Sequence, residues 1–131
     1  MKFDRKTVQT TLILLVLSVS VAFIVASFLK VGFAVPRPCD LLETCPDSFS
    51  FPSRHTTMAF AAATALSFWV RRLRSTLLIY FLAALVGVWR LYIGVHTMID
   101  IVGGALIGVV VGLGMYYFVK KYRGSMRRRS R

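Results

Sequence analysis

The sequence predicts an all-α integral membrane protein, a compact bundle of about four transmembrane helices with a polar extracytoplasmic connector. Apolar residues make up 56% of the 131 residues and stand in long blocks, which is typical of membrane spans. The formal net charge is +12, and the basic residues cluster at the edges of those blocks, as the positive-inside rule predicts. Nucleic-acid binding is not expected, because the aromatic residues needed for base stacking lie inside the apolar blocks.

The first apolar block covers residues 8–29 and contains 22 residues without a charge. A membrane-spanning helix needs about 20 such residues, so this block is predicted to be the first span. A cleaved signal peptide is the alternative, although its apolar region usually has about 7–15 residues.

A polar connector follows, and then three more apolar blocks. The connector runs from Lys30 to Arg54 and holds all four prolines and both cysteines. Further spans are predicted at 55–70, 75–95 and 98–119, followed by a basic tail over 120–131, all within a single domain over 1–131. In the last span Gly104, Gly108 and Gly112 leave one helix face bare. This stripe predicts close packing within the chain, with a dimer seam as the alternative.

The basic residues predict the orientation of the bundle. Four spans put residues 1–7, 71–74 and 120–131 on one side, which carries thirteen of the seventeen basic residues and is therefore expected to be cytoplasmic. The tail is predicted to be a topology signal, with anionic lipid binding as the alternative. The outer side keeps four cations, which topology does not explain: Lys30, Arg37, Arg54 and Arg90.

Cys39 and Cys45 lie in the connector on the outer side. An oxidising compartment permits a disulfide between them, which would close a small loop and stiffen the connector. Free thiols and zinc ligation are the alternatives, and the connector contains no further Cys or His before His55.

The outer cations lie beside two histidines, one serine and one aspartate. Several converging cations predict a site for a multiply charged anion such as phosphate. The start of the second span near Ser53 would add free backbone N–H groups. His96 and Asp100 are four residues apart, so on a helix they share a face, and the carboxylate would orient the imidazole.

Two histidines around a phosphate predict nucleophilic catalysis. His96, with its carboxylate partner, would attack phosphorus, and His55 would protonate the leaving oxygen. No metal or other cofactor is expected, because the carboxylate cluster that would hold magnesium is absent from the sequence. Taken singly, such residues are usually interfacial or snorkelling side chains. Trp89 and Tyr92 are predicted to belong to the interfacial aromatic belt.

These residues resemble the motifs of the type 2 phosphatidic acid phosphatase family, membrane lipid phosphatases that share a site with vanadium haloperoxidases. The first motif, Lys, six residues, Arg-Pro, is complete over 30–38. The second, Pro-Ser-Gly-His, is present at 52–55 with Arg54 in the glycine position. The third, Ser-Arg, five residues, His, three residues, Asp, is present at 89–100 with Trp89 in the serine position.

The resemblance implies a role for each matching residue. His96 would become phosphohistidine, Asp100 would orient it, and His55 would act as general acid and later help to activate water. The side chains that would bind phosphate oxygens are Lys30, Arg37, Ser53 and Arg90. Arg54 would offer its backbone N–H, and its side chain would contact a second phosphate.

The number of spans departs from the family pattern of six helices. The expectation is that the absent pair precedes residue 8, that the catalytic centre is retained, and that a homodimer supplies the missing wall of the lipid groove.

The resemblance implies a membrane lipid phosphatase with its site on the extracytoplasmic face. The expected substrates are an isoprenyl diphosphate, phosphatidylglycerophosphate or phosphatidic acid, with the isoprenyl diphosphate favoured. Transfer of the phosphoryl group to an alcohol is also open to a phosphohistidine. The alternatives are a catalytically silent membrane scaffold or regulator with a relic site, favoured by the serine replaced at position 89, and a basic lipid-binding bundle.

Overall fold

The described part of the chain forms an all-α bundle, as predicted. The computed structural model describes residues 5–39, 45–70 and 72–129, with the backbone alone for Lys6 and for residues 124–129. Four helices lie within these residues: α1 (Arg5–Phe33), α2 (Arg54–Val70), α3 (Leu73–Tyr92) and α4 (Met98–Arg129). The predicted placement of Lys2, Arg71 and Arg131 on the basic side lies outside the described residues.

Three of the helices are long and apolar enough to cross a membrane by length and composition, at Thr7–Phe33, Leu73–Tyr92 and Met98–Arg123 of the described residues. The remaining helix, α2, has 17 residues and is about 25 Å long at 1.5 Å per residue. The N-terminal end of α2 lies beside the N-terminal end of α4, and its C-terminal end lies beside the C-terminal end of the apolar part of α4. The Ser53 N–H donates to the Asp100 carbonyl at 3.1 Å, and Phe68 stacks on Tyr116 with ring centroids 3.7 Å apart. Helix α2 therefore runs parallel to α4 through the bundle.

The helix ends differ from the predicted spans for local reasons. Helix α1 continues to Phe33 and stops at Ala34, whose φ of 48° is left-handed and whose N–H donates to the Lys30 carbonyl, as at a helix C-terminus. Helix α3 ends at Tyr92 rather than 95, because Gly94 turns the chain with a φ of 71°. Helix α4 continues to Arg129 instead of ending at 119, since residues 120–123 are mostly good helix formers.

Helix α2 lies at the centre of the bundle and packs against α1, α3 and α4. The side chains buried at its contacts are small, including Ala61, Ala63 and Ala65. Small residues allow helix backbones to approach closely, which is how membrane helices gain packing energy. Most of the large apolar side chains face outward instead, among them Phe28, Leu73 and Val110. This pattern suits a bundle whose surroundings are lipid.

The glycine stripe of α4 lies against α2 within the same chain. A Cβ built on Gly108 would collide with the Thr57 carbonyl and would lie 2.9 Å from the Phe60 Cβ, and one on Gly104 would lie 2.9 Å from the Ser53 carbonyl. The predicted intramolecular packing is confirmed. It determines how closely the first turns of α2 and α4 approach each other.

We expect Gly108→Ala to destabilise the bundle, because the added methyl group meets α2 backbone that cannot rotate away. Overpacking of this kind costs about 1–3 kcal/mol, which outweighs the helix propensity of about 1 kcal/mol gained over glycine. Thermal unfolding in detergent should show a lower midpoint. Gly114→Ala is the matched control, since nothing lies within 4 Å of a Cβ built there. An equal effect of both substitutions would contradict close packing at Gly108.

Candidate active site

The predicted site residues meet at one end of the bundle, where α1 and α3 end and α2 and α4 begin. Lys30 lies in the last turn of α1 and Arg90 in the last turn of α3. The connector between α1 and α2 folds across this end through hydrogen bonds to α1, to the loop before α4 and to α4 itself. The site side chains with less than a tenth of their surface exposed are Lys30, Arg37, Ser50, Ser53, His96 and Asp100.

His96 is held between two different environments. Its Nδ1 faces Asp100 Oδ2 at 3.5 Å and Ser50 Oγ at 3.5 Å. Its Nε2 lies 3.4 Å from Nη1 of Arg37. A guanidinium only donates hydrogen bonds, so we assign the proton to Nδ1 and the lone pair to Nε2. The lone pair therefore points toward a cation, in the direction from which an anion would approach.

Ser50 joins the Asp100 carboxylate to the connector. Its hydroxyl donates to Asp100 Oδ2, which leaves its oxygen lone pairs toward the His96 Nδ1–H. The Thr97 N–H donates to the same carboxylate oxygen at 2.6 Å. The Ser50 N–H donates to the Val35 carbonyl at 2.7 Å. Asp100 is thus fixed by the connector and by Thr97, the residue directly before α4, and it orients His96 together with Ser50.

The surroundings of His96 keep its imidazole neutral. Burial lowers the pKa of His96 to about 4, and the cations of Arg37 and Lys30 contribute in the same direction, against the opposing effect of Asp100. Above that pH the ring carries no charge, so the Nε2 lone pair is available at neutral pH. A neutral, oriented imidazole is the form that acts as a nucleophile.

Lys30 and Arg37 hold the connector in place through hydrogen bonds, and they also contribute positive charge to the site. Lys30 Nζ donates to the Ser50 carbonyl at 2.9 Å. Arg37 donates through Nε to the Ser48 carbonyl at 2.6 Å and through Nη1 to the Val95 carbonyl at 2.8 Å. Burial lowers the pKa of Arg37, and the cations Arg90 and Arg54 lower it further. The four outer cations therefore act on a common region, which favours an anionic ligand.

The start of α2 contributes Ser53, Arg54 and His55. Ser53 stands directly before the helix, and its carbonyl accepts the Thr57 N–H at 2.9 Å, which is the hydrogen bond of an N-cap residue. The guanidinium of Arg54 lies 5.5 Å from the ring centroid of Phe23. His55 is exposed and lies within electrostatic reach of Arg90, Arg54 and Lys30. It makes no hydrogen bond to another described residue, which leaves its imidazole available to a ligand.

Arg90 retains an unused donor at the site. Its side chain is half-buried, and its buried Nε has no hydrogen-bond partner among the described residues. Buried donors are nearly always satisfied, so this N–H is suited to an anionic oxygen.

Trp89 directly precedes Arg90. Its side chain is 59% exposed and stacks on Tyr92, with ring centroids 5.8 Å apart. The Trp89 indole therefore faces outward, in keeping with the predicted interfacial belt.

The two cysteines form a disulfide, with 5.5 Å between their Cα atoms. Cys39 follows Arg37 by two residues, and Cys45 precedes Ser48 by three. The bridge thus joins the two arms of the connector that carry Arg37 and its hydrogen-bond partner Ser48. Among the described residues, no group of three or more His, Cys, Asp or Glu side chains could hold a metal ion.

Sequence reasoning missed Ser48, Ser50 and Thr97. Ser48 receives the Nη2 donor of Arg37 on its hydroxyl at 2.8 Å, and the other two hold Asp100. The alternation of serine and phenylalanine over 48–51 was the available signal, because it predicts an extended segment with polar positions at every second residue. Which partner each serine meets depends on the fold of the connector.

Comparison with known proteins agrees with this geometry. The model of the PAP2 superfamily matches residues 11–123. Lipid phosphate phosphatase gamma of Arabidopsis thaliana is 36% identical over 106 residues, covering 70% of this chain and 46% of that protein. Undecaprenyl-diphosphatase BcrC of Bacillus subtilis is 35% identical over 69 residues, covering 53% of this chain and 35% of that protein. The chain spans about half the length of the first curated relatives it matches.

Solved structures show the same fold. The crystal structure of Aquifex aeolicus LpxE superposes with a TM-score of 0.72 at 35% identity, covering 88% of this chain and 70% of that one. A transmembrane PAP2-type phosphatidylglycerolphosphate phosphatase from Bacillus subtilis gives a TM-score of 0.64 at 26% identity, covering 83% and 59%. The long apolar helices and this relationship identify a multi-pass integral membrane protein. The chain belongs to the PAP2 superfamily, the family of type 2 phosphatidic acid phosphatases.

Proposed function

We propose that this chain is a lipid phosphatase that releases phosphate through a phosphohistidine intermediate on His96, without a metal ion. The observation that carries the proposal is the neutral, buried imidazole of His96, oriented by Ser50 and Asp100 at Nδ1 and facing Arg37 at Nε2. This arrangement supplies a nucleophile at the centre of a cation cluster. The cations do the work of charge neutralisation that a metal ion performs in other phosphatases.

In the first step, His96 Nε2 attacks phosphorus while the bond from phosphorus to the leaving oxygen breaks. Arg37, which faces Nε2 in the free protein, would turn its Nη1 donor to a phosphate oxygen. The negative charge of the bound phosphate offsets the cations around His55 and favours its protonated form, which gives its proton to the leaving oxygen. Asp100 and Ser50 stabilise the positive charge that develops on the imidazole ring, as a carboxylate does in the Ser-His-Asp triad.

In the second step, water replaces the imidazole on phosphorus. His55, now neutral, accepts a proton from the attacking water, and the bond between phosphorus and Nε2 breaks. Inorganic phosphate leaves, and His96 returns to its neutral form. In both steps the charge on the equatorial oxygens is held by donors from every element of the site. We assign this role to Lys30, Arg37, Ser53, Arg90 and the backbone N–H of Arg54, and the unpartnered Nε of Arg90 supports the assignment.

The substrate that we favour is an isoprenyl diphosphate, ahead of phosphatidylglycerophosphate and phosphatidic acid. Arg54 stands where the family pattern has glycine. It is the first residue of α2, and its guanidinium lies beside the ring of Phe23. A second phosphate gives this additional cation a partner. The name of the Bacillus relative, an undecaprenyl-diphosphatase, supports the same substrate class.

The membrane orientation and assembly are parts of the same proposal. Of the thirteen basic residues predicted on one side, the ten that lie within the described residues belong to segments at the bundle end away from the site, which supports an extracytoplasmic site with both termini cytoplasmic. The described bundle packs as one unit around α2, and we propose that residues 1–131 act as a single domain. A homodimer would add a wall to the groove that holds the lipid tail.

We expect a phosphoenzyme that depends on His96. After incubation with a lipid phosphate labelled with ³²P, the protein should carry a label that is stable in alkali and labile in acid, as expected for a phosphoramidate. His96→Ala should abolish the label and lower kcat by about 10³-fold or more, and EDTA should leave phosphate release unchanged. Lys121→Gln, an exposed residue at the other end of the bundle, is the control. Activity that survives His96→Ala would refute the mechanism, and a lack of release from any lipid would favour the silent scaffold.

Ser50→Ala should reduce kcat by about 10–100-fold, by analogy with residues that orient metal ligands through hydrogen bonds, with little change in KM. The reason is that Asp100 loses its hydrogen bond from the connector and holds His96 less firmly. Steady-state kinetics together with thermal unfolding separate this effect from loss of fold. Ser18→Ala is the matched control, because Ser18 is equally buried and its hydroxyl has no partner among the described residues. Equal kinetic losses in both variants would argue against a positioning role for Ser50.

Arg54→Gln should weaken the use of diphosphate lipids more than that of monophosphate lipids. A lost charge-assisted hydrogen bond is worth about 1.5–3 kcal/mol, so kcat/KM for an isoprenyl diphosphate should fall at least about tenfold. The value for the corresponding monophosphate should change little. Arg54→Lys, which keeps the charge, should retain most of the diphosphate activity. A parallel loss on both substrates would assign Arg54 to the first phosphate instead.

A further inference from the structure

A second concave site lies at the end of the bundle opposite the active site. It is a cavity of about 390 Å³ enclosed by the first turns of α1, the last turns of α2 and the last part of α4. Between Ser53 and Phe68, α2 rises about 22 Å at 1.5 Å per residue. A substrate headgroup bound at His96 therefore does not reach this cavity, and the mechanism proposed above makes no use of it.

The walls of the cavity are apolar, and two of the aromatic side chains that form them pack against each other. Phe68 and Tyr116 stack with their rings 6° from parallel, and both line the cavity together with Leu14, Ala65 and Val119. Leu14 and Ala65 are buried. The site lies between membrane-spanning helices, so hydrocarbon is the solvent next to it. These walls are suited to part of an acyl chain.

The polar side of the cavity is cationic. Lys120 and Arg123 line it from α4, and Thr7 and Thr11 line it from α1. The two cations are three residues apart and therefore share a face of the helix. Lys120 Nζ lies 5.9 Å from the ring centroid of Tyr116, so it stands at the boundary between the aromatic wall and the polar side. Among the described residues, none that lines the cavity is acidic.

A cavity with an apolar interior and a cationic, hydroxyl-lined mouth complements one class of membrane component. We propose that it binds an anionic phospholipid of the leaflet opposite the active site. The phosphate would lie between Lys120 and Arg123, and an acyl chain would lie against Phe68 and Tyr116. A soluble phosphate would leave the apolar walls uncovered, and a zwitterionic lipid would bring its own headgroup cation next to Lys120 and Arg123.

Trp69 makes this site directly observable. It lines the cavity, and it is one of only two tryptophans in the chain. In a Trp89→Phe background, emission comes from Trp69 alone. Full-length protein would be reconstituted in phosphatidylcholine vesicles, and bromine-labelled phosphatidylglycerol or bromine-labelled phosphatidylcholine would be added at equal mole fractions. We expect at least twofold stronger association of the anionic lipid with Trp69, judged from the quenching.

Two double variants test the part played by the cations. Lys120→Gln with Arg123→Gln should bring quenching by the two lipids to the same level. Arg74→Gln with Lys121→Gln removes one lysine and one arginine from the same end of the bundle, at exposed positions outside the cavity, and should leave the preference unchanged. Thermal unfolding of each variant reports on its fold.

Three results would overturn the proposal. Equal quenching by both lipids in the parent protein would mean that no anionic lipid is selected. Loss of the preference in the control pair would mean that diffuse surface charge attracts the lipid. Loss of the preference on addition of millimolar glycerol 3-phosphate would mean that the ligand is a soluble phosphate rather than a lipid.

Discussion

The close contact between α2 and α4 is the constraint on which the rest of the structure depends. Gly104 and Gly108 bring the α4 backbone against Ser53 and Thr57, so the Ser53 N–H reaches the Asp100 carbonyl at 3.1 Å. This hydrogen bond joins the second motif to the third at the backbone. Because α2 also packs on α1 and α3, the remaining cations are carried to the same end of the bundle. In a membrane, apolar helices gain no hydrophobic free energy by associating, because lipid is as apolar as their side chains. Close packing between helix backbones therefore supplies the stabilisation that a hydrophobic core supplies in water.

The site concentrates charge in a place where charge is costly, and the connector makes this arrangement stable. Lys30 and Arg37 are buried, and main-chain carbonyls of residues 48, 50 and 95 accept their hydrogen bonds. Buried ions need such partners, because desolvation alone costs several kcal/mol for each ion. The partners are neutral, so the net positive potential is preserved for an anion. Burial, together with the same potential, lowers the pKa of His96 to about 4, which keeps its imidazole uncharged at neutral pH.

The order and spacing of the motifs were sufficient to predict the helical class, the family and the residues that meet at the site. Long uncharged blocks indicate spans. The spacing of His96 and Asp100 predicted a shared helix face; the two side chains do meet, but His96 lies in the loop before α4, which begins at Met98. Prediction was weaker where the contacts are distant in sequence. Ser50 and Asp100 are fifty residues apart, and nothing local to either residue identifies the other. The end of α3 was also placed three residues late, because a φ of 71° at Gly94 is a property of the folded loop.

The sequence by itself determined the membrane class, the clustering of outer cations near two histidines, and the family, because each of these depends on residue type and short-range spacing. Only the tertiary structure decided how His96 is held. Its Nδ1 faces a hydroxyl and a carboxylate contributed by two separate elements, and its Nε2 faces Arg37. Only the tertiary structure assembled the cavity beside Lys120 and Arg123 from α1, α2 and α4. Both features are made of contacts between segments that are distant in sequence, and their geometry depends on how closely the glycines of α4 allow α2 to approach.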